Sequence, residues 1–349
     1  MKALAPIVLP PLSALYGAVT RARLLLYRRG TFRTWHLNRP VISVGNLTTG
    51  GTGKTPLVEW VARALAAEGK RVCILTRGYG RSNPDRRVLV SDGKSVLSNA
   101  HEAGDEAFLL ATNLQGLAAV ISDADRVSAG KGAIKHLSTD CFVLDDGFQH
   151  LRVARDLNIV TIDATNPWGG GSLLPYGRLR EPLSGIRRAN CIVVTRADQA
   201  EDIQALHSEL ARLTNGCPLF FSRMQTLRIT LLSNASNSSP TPKRIAAFCG
   251  VGNPESFFDH LRHDGYELSL EKTFPDHYPY TQKDIDSLIR EAKNSGAEGL
   301  LTTAKDAVKL HSHSFTLPCY VLEIELNIEN TDELRKLVRN AALRPVSGL

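Results

Sequence analysis

Lys54 and Thr55 follow directly on glycines at positions 45, 50, 51 and 53, in the stretch Val41-Ile-Ser-Val-Gly-Asn-Leu-Thr-Thr-Gly-Gly-Thr-Gly-Lys-Thr-Pro56. Such a stretch can hold phosphate: glycines let backbone N–H groups converge on phosphate oxygens, and a following helix adds the positive end of its dipole. A lysine here reaches β- and γ-phosphates, and the adjacent hydroxyl can ligate Mg²⁺. Gly50, Gly51, Thr52, Gly53, Lys54, Thr55 and Pro56 are therefore the candidate nucleotide cradle. The spacing departs from G-x-x-x-x-G-K-[ST], which wants glycine where Thr48 stands, so a glycine-rich turn with a chance Lys-Thr is the alternative. The flanks favour phosphate binding: the β-branched residues Val41, Ile42 and Val44 predict a strand before the loop, and apolar periodicity from Leu57 to Leu65 predicts a helix after it.

A second acidic site lies in Asp140-Cys-Phe-Val-Leu-Asp-Asp-Gly-Phe-Gln-His150, where a short apolar strand ends in Asp145 and Asp146. A Walker-B segment delivers an acid to Mg²⁺ in this way. Strand alternation sends the two carboxylates to different sides, so one can serve the metal while the other faces substrate or a loop. A plain Asp-Gly turn is the competing reading. Arg77-Gly-Tyr-Gly-Arg81 follows another predicted strand, 71–76, and suits an anion or substrate loop. Asp105 and Glu106 open a predicted helix, where by themselves they read as complements of its dipole. His277, in Phe274-Pro-Asp-His-Tyr278, by itself reads as structural. The Gly- and Pro-rich connection 166–182 carries Arg178, Arg180 and Glu181, the polar residues of a loop long enough to be functional. Thr195-Arg-Ala-Asp198 occupies the position of a base-recognition motif but lacks the Asn-Lys of guanine readers.

Positioning these residues takes an α/β fold: a mostly parallel sheet flanked by helices, of the P-loop NTPase (RecA-like) type. Strands are predicted at 158–163, 190–195, from Arg244, near 300 and at 319–324, with a closing amphipathic helix from Thr331 to Leu343. With 349 residues the chain can form two domains. The polar, Pro-containing run 233–243 divides a P-loop domain over 40–232 from a smaller α/β domain over 244–349, and residues 1–39 form a basic leading segment. The six cysteines are scattered without metal-site spacing and read as reduced core residues.

The net charge of +7 is carried by residues 1–40, which hold seven basic side chains and no acid. The neutral remainder argues against a nucleic-acid-binding face. Residues 3–20 are uncharged, but Pro6, Pro10 and Pro11 are expected to break them, and too few apolar residues remain before Arg21 to span a bilayer. A signal peptide is disfavoured by the thin basic start and the prolines. From Leu12 to Arg29 the pattern fits an amphipathic helix with Leu12, Leu15, Tyr16, Val19, Ala22 and Leu26 on one side. Arg21, Arg23, Arg28 and Arg29 would meet anionic head groups, unless the helix simply packs on the protein.

Taken in order, G-N-L-T-T-G-G-T-G-K-T-P, T-R-G-Y-G-R, G-D-E, D-D-G-F-Q-H, L-L-P-x-G-x-L-R-E-P, F-x-D-H-Y and T-x-K-D resemble the tetraacyldisaccharide 4'-kinase (lipid A 4'-kinase) family over nearly the whole chain. The offset P-loop glycines are that family's own form; Ala107 departs from the proline expected after the acids. The resemblance implies ATP and Mg²⁺ as cofactors and phosphoryl transfer to the 4'-hydroxyl of a tetraacyldisaccharide 1-phosphate, giving lipid IVA. It implies peripheral attachment to the cytoplasmic face of a bacterial inner membrane, with no obligate protein partner. It makes Asp105 the catalytic base supported by His277, with Lys54 also catalytic. Thr55, Asp145 and Asp146 would handle the metal, and Arg77, Glu106, Gln149, His150, Arg180 and Glu181 the substrate. Asp105 and His277 lie on either side of the linker, so a domain closure is expected to bring them together. The rival readings are a membrane-associated ATPase or GTPase switch and a kinase of a soluble metabolite. Thr49 stands where a deviant-Walker switch carries its signature lysine, and the soluble-metabolite reading leaves the basic leading helix without a role.

Overall fold

The computed structural model describes residues 5–214, 216–232 and 241–343. In chain order the elements are α1 (Ala5–Arg28), β1 (Val41–Asn46), α2 (Lys54–Ala67), β2 (Val72–Thr76), β3 (Val88–Asp92), α3 (Ala100–Ala103), α4 (Asp105–Asn113), β4 (Ala118–Ser122), α5 (Arg126–Leu137), β5 (Cys141–Leu144), β6 (Leu157–Asp163) and β7 (Cys191–Thr195). They continue with α6 (Ile203–Thr214), β8 (Leu219–Leu231), β9 (Arg244–Cys249), α7 (Pro254–His263), β10 (Glu267–Thr273), α8 (Gln282–Asn294), β11 (Gly299–Thr303), α9 (Ala304–Ala307), β12 (Cys319–Ile328) and α10 (Thr331–Leu343).

Among the described residues the strands form one twelve-stranded sheet in the order β10-β9-β11-β12-β8-β7-β6-β1-β5-β2-β4-β3. β1 is buried along its whole length and pairs in parallel with β5 and β6. β8 joins an N-terminal parallel block to a C-terminal one. Its first residues, Leu219–Phe221, run parallel to β7, and the rest pairs antiparallel with β12. The carboxyl ends of β1, β2, β5, β6 and β7 carry the predicted site loops, as the ligand rule for parallel sheets requires.

Helices cover both faces. Ile42 and Val44 pack with Leu57, Val58 and Val61 of α2 and with Leu334 and Val338 of α10, so the last helix returns to the N-terminal block. Val41, Cys73 and Leu75 face Val127 and Ala133 of α5. Five of the six cysteines are buried, and all six are free thiols.

One expectation for the leading segment needs correction. The helix does not wait for Leu12: α1 starts at Ala5 and runs through Pro10 and Pro11. Proline's fixed φ is compatible with a helix, and near the helix start its missing N–H interrupts only the first turns. The apolar side lies away from the protein: Leu12, Leu15 and Val19 point outward at 45%, 62% and 60% exposure, while Tyr16 at its edge turns toward the protein and Ser13 and Gly17 on the opposite side are buried. Ser13 Oγ donates to Leu173 O at 2.8 Å and Tyr16 Oη to Arg180 O at 2.7 Å. Of the expected linker, residues 233–240 lie outside the described residues.

Phe148 fixes the segment after Asp145 and Asp146: it is fully buried among Leu47, Val160 and Ile162, with the Arg188 guanidinium 4.4 Å from its ring centroid. Phe148→Ala should cost about 3–5 kcal/mol of stability in urea unfolding; a loss below about 1 kcal/mol would show that the segment is held by other means.

Candidate active site

α2 begins at Lys54, and its N-cap, Gly53, has φ 74° and no side-chain cap. A left-handed residue there suits glycine, and the first N–H groups of the helix stay available to an anion. The loop ahead is braced from several strands. Asn46 Nδ2 donates to Thr52 Oγ1 at 2.9 Å, Thr161 Oγ1 lies 2.8 Å from the same hydroxyl, and Thr195 Oγ1 donates to Thr52 O at 3.1 Å. Arg196, at the position of a base-recognition motif, turns inward instead. It donates to Gly51 O at 3.1 Å and pairs with Asp163 at 2.5 Å. Asn253 Nδ2 reaches Asp163 at 3.3 Å, and a Cβ on Gly252 would lie only 3.1 Å from Gly50 Cα. The Gly250-Val-Gly252 turn is thus the contact between the C-terminal block and the phosphate loop.

Asp145 and Asp146 differ sharply. Asp145 is buried, accepts from Thr76 Oγ1 at 2.8 Å, and has its pKa raised by burial and by the neighbouring Glu106 and Asp146. Asp146 takes a left-handed φ of 48°, which turns it to Lys54 Nζ at 3.6 Å and to Arg180 Nη1 at 2.6 Å. Burial opposes its charge, but those two cations outweigh it and hold the pKa at about 2. Buried Arg126 donates to the carbonyl of Asp145 at 2.7 Å and of Asp146 at 3.3 Å, fixing the acid pair from behind.

Asp105 and His277 are in contact: Nδ1 lies 3.2 Å from Asp105 Oδ2. The expected closure is not needed to join them, because this conformation already contains the pair. His277 has φ 60° and lies against Tyr79, ring centroids 4.9 Å apart and planes tilted by 51°. Two lysines of the C-terminal block complete the cluster. Lys305 Nζ lies 3.1 Å from Glu106 Oε1, 3.1 Å from Asp276 Oδ1 and 3.2 Å from His277 Nε2. Lys309 Nζ lies 3.5 Å from Asp105 Oδ2 and 3.3 Å from Asp306 Oδ1. Burial alone would raise the Asp105 pKa, but His277, Lys309 and Lys305 together bring it below the usual carboxylate range.

One cleft of about 1630 Å³ collects most of the predicted residues: Gly50 to Pro56, Arg77, Glu106, Asp145, Asp146, Gln149, His150, Arg180, Glu181 and His277 all line it. Asp105 sits just behind His277, its side chain 15% exposed. Arg77 is exposed at the rim. Gln149 Nε2 bridges Asn46 O and Glu181 Oε1, both at 2.8 Å. Glu181 is buried against Arg188 at 2.7 Å, so its role is to hold Gln149 and Arg188 in place. The His150 pKa falls to about 3 through burial and the nearby Arg126, Arg155, Arg152 and Arg23, so its imidazole is neutral. Sequence reasoning missed Lys305, Lys309, Arg126 and Arg196. The T-x-K-D run at a strand end was a signal for Lys305; Lys309 carries no sequence signal, since only the fold brings it to Asp105.

A sequence profile of the tetraacyldisaccharide-1-P 4'-kinase family, LpxK, matches residues 5–343. The chain belongs to this family. It is 45% identical to the tetraacyldisaccharide 4'-kinase of Geobacter metallireducens, over 87% of this chain and 88% of that one. With the Geobacter sulfurreducens kinase it shares 44% identity over 90% and 87% of the two chains. A crystal structure of LpxK from Aquifex aeolicus in complex with ATP superposes with a TM-score of 0.74 at 33% identity, covering 95% of this chain and 98% of that one.

Removing the Lys309 cation takes away a force that lowers the Asp105 pKa. In Lys309→Met the Asp105 carboxyl should titrate at higher pH than in the wild type, followed by ¹³C carboxyl NMR with Asp105→Asn for assignment. An unmoved titration would mean that Lys309 does not act on Asp105.

Proposed function

We propose that this chain transfers the γ-phosphate of ATP to the 4'-hydroxyl of a tetraacyldisaccharide 1-phosphate, forming lipid IVA. One observation carries the reading: the phosphate cradle at Gly50–Thr55 of the N-terminal block and His277 of the C-terminal block line the same cleft, and His277 is joined to Asp105 directly behind it. Phosphoryl transfer needs positioning and charge neutralisation more than covalent chemistry. The N-terminus of α2 with Lys54 and Arg180 supplies positive charge. Asp146 holds both cations in the cleft, and an incoming triphosphate competes for them. Asp105 accepts the hydroxyl proton as the new O–P bond forms and the bond from Pγ to the β,γ-bridging oxygen breaks, releasing ADP. Its lowered pKa keeps it ionised and ready at neutral pH.

Thr55 and Asp145 fit Mg²⁺, with Asp146 beside them: Arg126 is spent on the Asp145 backbone carbonyl, and burial with Glu106 and Asp146 still raises the pKa of the Asp145 carboxyl, a deficit that a cation would relieve. Bound Mg²⁺ would neutralise charge on the phosphate oxygens. Among the described residues no three His, Cys, Asp or Glu side chains cluster to hold a metal unaided. That suits an ion bound by one or two carboxylates together with phosphates. Arg77, Glu106, Gln149, His150 and Arg180 would face the disaccharide, with Glu181 supporting them.

α1 would attach the protein to the membrane surface that holds the lipid, on the cytoplasmic face of the inner membrane. No helix among the described residues is long and apolar enough to cross a bilayer. The helix docks through Ser13, Tyr16 and Gly17, leaving Leu12, Leu15, Val19 and Leu25 outward beside Arg21 and Arg28. Outward leucines with flanking arginines match an interfacial helix that meets anionic lipids.

Labelled γ-phosphate from ATP should appear on tetraacyldisaccharide 1-phosphate in detergent micelles, and Asp105→Ala should lower that rate by about 100-fold or more with ATP binding retained. ATP hydrolysis without lipid product would overturn the kinase reading. Replacing Leu12, Leu15 and Val19 together by Ser should raise the lipid KM by about 10-fold or more and leave the ATP KM unchanged. An unchanged lipid KM on vesicles would remove the anchor role.

A further inference from the structure

His277 is surrounded by groups that leave its proton little choice. On one side, Nδ1 lies 3.2 Å from Asp105 Oδ2 at the start of α4. An ionised carboxylate only accepts hydrogen bonds, so the proton belongs on Nδ1. On the other side, Nε2 lies 3.2 Å from Lys305 Nζ of α9. An ammonium only donates, so Nε2 must offer its lone pair. Lys305 is itself held between Glu106 Oε1 and Asp276 Oδ1, each at 3.1 Å, and these acids outweigh burial to keep it charged. Asp276 Oδ1 is 3.8 Å from Nε2, too far to compete as an acceptor. Against the ring lies Tyr79, centroids 4.9 Å apart, an aromatic side chain with no formal charge. A doubly protonated ring would set an N–H against the ammonium.

We propose that Lys305 is a positioning residue that fixes His277 as the neutral, Nδ1-protonated tautomer and thereby makes Asp105 the terminal proton acceptor. This rests on the reading of Asp105 as the base. With Nδ1 already occupied, His277 cannot take a proton from Asp105 through the bond that joins them. The proton leaving the sugar hydroxyl stays on the Asp105 carboxyl until product departs. His277 steers one carboxylate oxygen and leaves the other for substrate, while Lys305 steers His277. The lysine has no need to touch the reacting atoms.

The test is ¹⁵N NMR of the full chain labelled at histidine, with the His277 signals assigned by their loss in His277→Asn. At neutral pH the wild type should show a protonated Nδ1 and an unprotonated Nε2. Lys305→Met should add a population protonated at Nε2, and Lys305→Arg, which still donates, should restore the wild-type pattern. In lipid phosphorylation Lys305→Met should lose about 10- to 100-fold in kcat with an ATP KM within about twofold of wild type, and Lys305→Arg should recover most of it. A wild-type spectrum with Nε2 protonated overturns the proposal, as does a Lys305→Met spectrum identical to wild type. The wild-type spectrum decides even if Lys305→Met fails to fold. Full activity in Asp105→Ala would instead remove the base reading, and with it the proton-acceptor half of the proposal, while leaving the tautomer measurement intact.

Discussion

Charge that leaves water must find opposite charge, and between the two parallel blocks of this sheet that requirement sets the geometry. α4 of the N-terminal block starts with Asp105 and Glu106; the C-terminal block answers with the cations of Lys309 and Lys305 and with a hydrogen bond from His277 to Asp105. Asp306, fully buried, anchors this group by accepting from Gly250 N, Tyr280 Oη and Thr303 Oγ1. Removing one member leaves an unpaired charge in a poorly hydrated place, which is costlier than losing a surface ion pair. The blocks are therefore fixed relative to each other at the point where the chemistry is placed.

The phosphate loop depends on the same docking. Its backbone is tied to β6 and β7 through Thr161, Thr195 and Arg196, and the Gly250-Val-Gly252 turn lies on it from the C-terminal block. Asp306 holds that turn through Gly250 N and also pairs with Lys309, so one buried carboxylate supports both the loop that meets phosphate and the lysine that meets Asp105. Arg196 shows how a position can be reused: where other P-loop proteins read a base, this chain spends a buried guanidinium on Gly51 O and Asp163.

α1 reverses the usual arrangement of a surface helix. Its small and polar residues, Ser13 and Gly17, face the protein, and its leucines face out. Docking is carried by hydrogen bonds to Leu173 O and Arg180 O, which also ties the helix to the loop bearing Arg180. A helix held this way has its apolar surface free for a bilayer and its base next to the cleft.

The order of strand, glycine loop, Lys54-Thr55 and helix was legible because each part is local: β-branched residues make β1, glycine permits the turn at Gly53, and apolar period makes α2. Asp145 and Asp146 at a strand end were legible for the same reason. The sequence by itself determined the α/β class, the nucleotide cradle, the acid pair and a basic amphipathic start. Pro10 and Pro11, inside α1, misled because local propensity is weak against a helix docked by one face. Tertiary structure alone decided that β8 and β12 weld two parallel blocks into one sheet, that Arg196 and Gly252 brace the loop, and that Lys305 and Lys309 converge on residues some two hundred positions earlier in the chain. Ion pairs of that kind leave no period in the sequence; they follow from which strand ends the sheet places face to face.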